Sequence, residues 1–389
     1  MLSKTFAEIK TRVLLVGVLG AASLLAQDAP LASSSVRIDL PEDSPVAVMK
    51  TDTGTSRTAA RGAALVLDLN LSLTLRNISN NRIHGVTLRI VSQEVAMGGV
   101  GSVFQPGLNV GPGEAFPVHI ATKLMRPMQM SGGPLLQVNL DGVLFQDLTF
   151  YGPDKLHSRR IMTASEMEAQ RDRLAFKRLL ARGGNPALTD AILKILARRE
   201  ALPEIQGRIV RGHALTNAGL AAIVPERQEQ FAFLQFPDGP IQLIRGSATI
   251  AGSDARTPSI EVANLTDKPV KYVELGWVLT DTSGRSYMAG ALPSSDPAFL
   301  LPARSTGKVS QENTLEFSTG GKPLSIRSVT GFVNQVEFAD GKVWVPTRQN
   351  MDSNPLLMQV MEPSVEEERL ANLYVTKGLP ALVEELKKY

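Results

Sequence analysis

The chain has no cysteine, only two tryptophans and four histidines, and aromatic residues make up just 5% of it. Without cysteine it has no disulfide, no thiolate nucleophile and no Cys-ligated metal. His84, His119, His157 and His213 stand far apart with no His-x-x-x-His or comparable spacing, so no metal is expected, and no other cofactor. Sparse rings disfavour a sugar-binding platform, which depends on exposed aromatics. Nucleophile-elbow, dinucleotide-binding and calcium-loop patterns are missing too. The run Gly98, Gly99, Val100, Gly101 lacks the lysine and the strand-to-helix setting of a phosphate cradle, and is expected to be a loop.

An excess of one charge is also missing. The 41 Lys and Arg against 38 Asp and Glu leave +3, of which Lys4, Lys10, Arg12 and Glu8 near the N-terminus contribute +2. The remainder carries no global field to gather phosphate backbones, and nucleic acid is excluded as an expected partner.

Long apolar runs are limited to Val13 to Leu25, which comes after that basic stretch and ends at Ala26, before Gln27, Asp28 and Pro30. This is the layout of a secretory signal over residues 1–26. The run is shorter than the roughly 20 residues that span a bilayer. The expected location is periplasmic or secreted, with membrane contact only through this segment if it stays uncleaved. Residues 27–35, rich in Ala, Ser and Pro, read as a flexible lead-in.

From residue 36 onward, period-two alternation dominates. Leu65, Leu67, Leu69, Leu71, Leu73 and Leu75 alternate with mainly polar residues, which puts all six on one face of a strand. Further short alternating runs, at Val86 to Ile90, Phe116 to Ile120 and Leu136 to Leu148, are separated by turn signals and indicate an antiparallel sandwich over 36–158. The pattern then turns helical over 159–202. Ser165 with Glu168 reads as a capping box, Leu174, Phe176, Leu179 and Leu180 as the apolar face, Gly183 and Gly184 as a stop, and Pro186 as the start of a second helix. The surface of this hairpin is expected to be basic, with Arg171, Arg173, Lys177, Arg178, Arg182, Lys194, Arg198 and Arg199 forming either a solvated face or a patch for an acidic partner or membrane surface. Residues 203–240 read as a connection.

From 241 to 350 the strand pattern returns, and it repeats the first. Leu73, Leu75, Asn77, Ile83, Val86, Leu88 and Ile90 correspond to Ile260, Val262, Asn264, Val270, Val273, Leu275 and Trp277 at a constant offset of 187. Thr330 to Gln335 is the expected counterpart of Asp141 to Phe145. The C-terminal helices, 351–389, repeat the hairpin: Ser364 with Glu367 as a capping box, then Gly378, Pro380 and Leu382 matching Gly184, Pro186 and Leu188. The fold expected is therefore mainly β with α: two antiparallel immunoglobulin-like β-sandwiches, each followed by a helical hairpin.

The strand, Asn turn and strand of each copy resemble the immunoglobulin-like or fibronectin-like modules of bacterial envelope proteins, including the FxLYD type. Asn264, Thr266, Val270, Val273 and the turn Asp281 to Gly284 follow that pattern. The first copy keeps Asn77, Ser79, Ile83 and Val86 but has Ser92 to Val95 in place of the Asp-Gly turn. The resemblance implies a fold, and modules that bind, space or scaffold. The function expected is thus that of an exported noncatalytic binding or scaffolding protein of the bacterial cell envelope, not an enzyme, whose partner is a protein or an envelope polymer. Candidate partner-binding residues are Trp344, beside the Asp340-Gly341 turn, and the apolar stripe Leu379, Leu382, Val383 and Leu386, for which packing within the chain is the alternative. The competing reading is an envelope-polymer hydrolase with a site assembled from loops such as Gly98 to Gly113 and Arg285 to Ala298.

Overall fold

A computed structural model describes residues 29–128, 133–202, 205–210, 226–293, 299–310 and 314–389. The expected signal segment, His213 and residues 203–204 and 211–225 of the expected 203–240 connection lie outside the described residues. The chain is mainly β, with four α-helices among the described residues.

The leucine run becomes the strand Ala64–Asn77, in which Leu67, Leu69, Leu71, Leu73 and Leu75 are each no more than 2% exposed. Each such side chain contributes about 1.5–3 kcal/mol on burial. This strand pairs with Val46–Asp52 and Arg57–Arg61 on one side and Ala115–Pro127 on the other. A second sheet, with Ile83–Val91 and Leu136–Phe145 at its centre, Val100–Gln105 at one edge and Val36–Asp39 parallel at the other, shares one apolar core with the first. Two segments read as loop or lead-in are ordered here. Val100–Gln105 is a strand inside the expected 98–113 loop, and Ala29–Pro30 pairs with Arg57–Arg61 while Leu31 enters the core at 4% exposure.

The second half holds another pair of facing sheets, of seven and five strands among the described residues. Ile241–Ala251 pairs with Asp254–Asn264, which also pairs with Thr306–Ser310 and Thr314–Thr319. Facing them are Val270–Asp281 and Ile326–Phe338, with Ser286–Pro293 at one edge and Ala232–Leu234 parallel at the other. The stretch expected to be a connection therefore belongs to this half: Gln206–Val210, Glu226–Gln230 and Ala232–Leu234 are all strands of its sheets.

Hydrogen bonds match position by position. Asn77 Nδ2 donates to Asn81 O (2.8 Å) and Val110 O (3.1 Å), while its Oδ1 accepts from Ser79 N (3.0 Å) and Ser79 Oγ (2.7 Å). Asn264 Nδ2 donates to Lys268 O (2.8 Å) and Pro302 O (3.0 Å), and its Oδ1 accepts from Thr266 N (3.0 Å) and Thr266 Oγ1 (2.8 Å). Both Asn side chains are buried, which rules them out as glycosylation acceptors. They tie the strand end to the returning loop at the bridges Ile83 to Val110 and Val270 to Leu301. The correspondence corrects one expected pairing. Val86 faces Val143 as Val273 faces Val336, so Asp141 to Phe145 match residues 334–338 and not Thr330 to Gln335. Bulges shift the register on both sides, and sequence spacing alone does not count them.

In one core pair the halves differ in residue size while keeping the site filled. Ile90 sits opposite Val138, whereas Trp277 sits opposite Gly331. A Cβ on Gly331 would lie 2.8 Å from Trp277 Cζ3, so the glycine makes room for the indole.

Helix α1 (Ser158–Ala201) bends at Gly184 (φ 63°, ψ −159°), and helix α4 (Val365–Lys387) bends at Gly378 (φ 80°, ψ 176°). That backbone region belongs essentially to glycine, and Pro186 and Pro380 restart the helix after it. Between them lie the short helices α2 (Arg348–Asp352) and α3 (Pro355–Val360). The capping box of α4 forms as expected, with Ser364 Oγ accepting from Glu367 N at 3.1 Å. That of α1 does not, because the helix starts seven residues before Ser165. Asp141, buried in the middle of the strand Leu136–Phe145, accepts from Lys155 N (2.9 Å), Leu156 N (3.2 Å) and Ser158 Oγ, and so anchors the start of the helix from another element.

Candidate functional site

The two bent helices pack on each other. Phe176, Leu188, Ile192 and Ile195 of α1 meet Leu370, Leu382 and Leu386 of α4, with Leu379 and Val383 half-buried at the margin. The stripe Leu379, Leu382, Val383 and Leu386 is therefore brought together, but as the core of this helical layer. Leu382 is 0% exposed and Leu386 1%, which leaves neither free to receive a partner. Trp344 lies elsewhere. It pairs with Val336, as Tyr151 pairs with Val143, and its half-buried ring leans on Phe236 with centroids 6.3 Å apart. The short strand after the Asp340-Gly341 turn lays the ring against the sheet instead of projecting it.

Two chains of buried charge lock the helical layer. In the first, Glu166 contacts His84 Nδ1 at 3.0 Å and Arg173, Arg173 reaches Glu366 at 3.4 Å, and Arg369 bridges Glu366 (2.8 Å) and Glu385 (2.7 Å). The Tyr389 ring packs 4.0 Å from the Arg173 guanidinium and edge-on to His84. Burial pushes the Glu166 carboxyl up, but the His84 hydrogen bond and the Arg173 charge outweigh it and hold the group below the usual carboxylate range. In the second chain, Asp172 contacts Arg171 (3.0 Å) and Arg348 (3.5 Å) and accepts from Ser364 Oγ (2.6 Å), while Glu367 meets Arg348 (2.6 Å) and Arg198 (2.7 Å). His84 comes from the first sheet pair and Arg160 of α1 reaches Glu337 of the second at 3.6 Å, so the layer touches both halves.

These pairs change the reading of the basic face. Arg173 is 3% exposed and belongs to the core, and Arg171 and Arg198 spend their charge on Asp172 and Glu367. Arg178 and Arg182 are exposed and make no ion pair among the described residues, and Lys194 pairs only with exposed Asp190 (2.7 Å). All three line an open groove of about 970 Å³ between the two arms of α1 and the segment leading into α2. Leu174 (47% exposed), Leu179 (39%) and Met358 (47%) supply its apolar wall. The sequence pattern assigns Leu174 and Leu179 to the helix core. The side facing α4 is instead set by Phe176 and the α1 second arm, which rotates both leucines toward the groove. Arg178 and Arg182 are legible in the sequence as basic positions. That they keep their charge while Arg171, Arg173 and Arg198 do not is not, because those neighbours' partners include acids some 170 to 190 residues away.

Other acidic positions have local structural partners. Asp43 accepts from Tyr151 Oη at 2.6 Å, and desolvation together with Asp43 pushes that phenol up to about 12. Asp281 Oδ1 accepts from Ser283 N (2.9 Å), Ser283 Oγ (2.6 Å) and Arg285 N (2.9 Å), which makes it a turn residue. His119 and His157 are exposed singly, and among the described residues no three metal-ligating side chains converge.

No family model and no curated protein matches the chain. Among solved structures it is similar to Northeast Structural Genomics Consortium target SoR45, at 11% identity and TM-score 0.17, covering 31% of this chain and 78% of that one. A second, "pT26-6p", matches at 7% identity and TM-score 0.17 over 92% of this chain and 77% of the other. A β-glucosidase from Kluyveromyces marxianus matches at 10% identity and TM-score 0.14 over 71% of this chain and 45% of its own length. At TM-scores of this size the likenesses carry no information on fold or activity.

Proposed function

We propose that the chain is an exported, noncatalytic binding or scaffolding protein of the bacterial cell envelope, built from two copies of an immunoglobulin-like sandwich with a helical hairpin, and that it receives an acidic segment of a partner protein in the groove on α1. The observation that carries the binding site is the pair Arg178 and Arg182, exposed and unneutralised beside exposed Leu174 and Leu179 in a groove of about 970 Å³. Cations next to an apolar wall suit a segment that presents carboxylates on one side and apolar side chains on the other. Export is supported by the basic stretch and apolar run before Ala26. The duplicated unit is supported by the matched Asn77 and Asn264 turns and by the matched central pairings, Val86 with Val143 and Val273 with Val336.

The test is fluorescence anisotropy with a labelled amphipathic peptide alternating glutamate and leucine faces, against the wild type and the Arg178→Glu/Arg182→Glu variant. Each exposed charge is worth up to about 1 kcal/mol, so reversing two should weaken binding at least about tenfold. Wild-type binding should also fall as salt is raised. Equal binding by both proteins, or none by either, would refute the groove as the acceptor.

A further inference from the structure

The second sheet pair contains a separate cavity of about 200 Å³ at the end closed by the Gln206–Val210 strand. Its walls are apolar: Phe231, Leu279, Leu315, Phe317 and Ala289 surround the ring of Trp277, and only Gly207 and Arg208 at the rim are exposed. The indole is 5% exposed, held by Phe231 in an edge-to-face contact at 5.1 Å, and its Nε1 is buried with no hydrogen-bond partner among the described residues.

A buried indole N–H ordinarily finds an acceptor, and leaving it bare costs free energy. Water does not answer the need. A stable buried water takes two to four polar partners, and the walls here offer one side-chain donor in an apolar surround. For size, an apolar protein cavity of about 150 Å³ holds benzene. The equivalent position in the first half is Ile90, which has no donor, so the pairing of cavity and N–H is particular to the second half.

We propose that this cavity binds a small uncharged apolar molecule, slightly larger than benzene, whose single acceptor oxygen, a ketone, ester or ether, takes the Trp277 Nε1–H. Binding is noncovalent, and the oxygen supplies the partner that the fold leaves out.

With only two tryptophans, the protein gives two indole N–H signals in an ¹⁵N–¹H spectrum, and Trp344→Phe assigns them. Acetophenone should move the Trp277 proton signal downfield saturably. Ethylbenzene, of similar shape but lacking the oxygen, should bind about 3- to 10-fold more weakly and give no downfield shift. Ala289→Leu, which fills the cavity, should abolish both responses while keeping the far-UV circular dichroism of the wild type. Trp277→Phe should erase the preference for acetophenone in calorimetric titration. Absence of saturable binding by either probe overturns the proposal, as does equal affinity for the two, or binding that survives Ala289→Leu. Should Ala289→Leu fail to fold, the Trp277 signal and the acetophenone-to-ethylbenzene ratio in the Trp344→Phe protein decide the matter alone.

Discussion

Exchanging Trp277 and Gly331 for the Ile and Val that stand at the matching places of the first half tests whether both halves share one core plan. Gly331→Val alone brings a Cβ to 2.8 Å from Trp277 Cζ3 and 3.2 Å from the Phe233 ring. Both neighbours are flat rings within a packed core and cannot swing aside as a flexible chain end would. Overpacking costs about 1–3 kcal/mol, and the two further methyls put this case near the upper end. Better strand propensity returns less than about 1 kcal/mol. Trp277→Ile alone empties most of a ring next to an existing space of about 200 Å³, and core truncations of this kind cost about 2–3 kcal/mol. Independent effects would bring the double variant to a loss of about 4–5 kcal/mol. We expect instead a loss of no more than about 2, which is a coupling of about 2–3 kcal/mol between residues in contact. Urea unfolding of the four proteins followed by far-UV circular dichroism measures it. Additivity within about 0.5 kcal/mol would refute the reasoning, because it would mean that the introduced valine and isoleucine do not fill each other's space.

Two further outcomes concern stability. Asn264→Ala strips partners from the carbonyls of Lys268 and Pro302 and from Thr266 N, and should cost about 2–4 kcal/mol in chemical denaturation, as should Asn77→Ala in the first half; a loss below about 0.5 kcal/mol for both would show that the turns do not depend on them. The Glu166 carboxyl, faced by His84, Arg173 and Gln170, holds its proton less readily folded than unfolded. Its stabilisation is therefore present in full above the unfolded value of about 4.3 and is lost as pH falls through the lower folded value. Glu166→Gln should lower the melting temperature at neutral pH, since it removes the nearer of the two buried carboxylates that face Arg173, and should flatten the fall of melting temperature below about pH 4.3. An unchanged acid profile would assign the acid sensitivity to other carboxylates.

Much of the architecture was legible in the residues because it is local. Alternation over Leu65 to Leu75 dictates a strand with one buried face. Gly184 and Gly378 bend their helices because each takes a conformation that a side chain would strain. The Asn77 and Asn264 turns were recognisable as partners because Asn, the Ser or Thr two residues on and the carbonyl four residues on bond to one another locally. Tertiary structure decided the rest, since it depends on what approaches from far along the chain. The stripe from Leu379 to Leu386 has the same spacing whether it meets a partner or Leu188 and Ile192, and only docking against α1 buries it. Arg173 and Arg178 are alike as sequence. One faces Glu166 and Glu366 and becomes part of the core, while the other faces an open groove and keeps its charge. The start of helix α1 is held by Asp141, on a strand, which takes up the N–H groups of Lys155 and Leu156 just before the helix and the Ser158 hydroxyl. Local bonding depends on chain spacing, whereas charge neutralisation and burial depend on which distant surfaces meet.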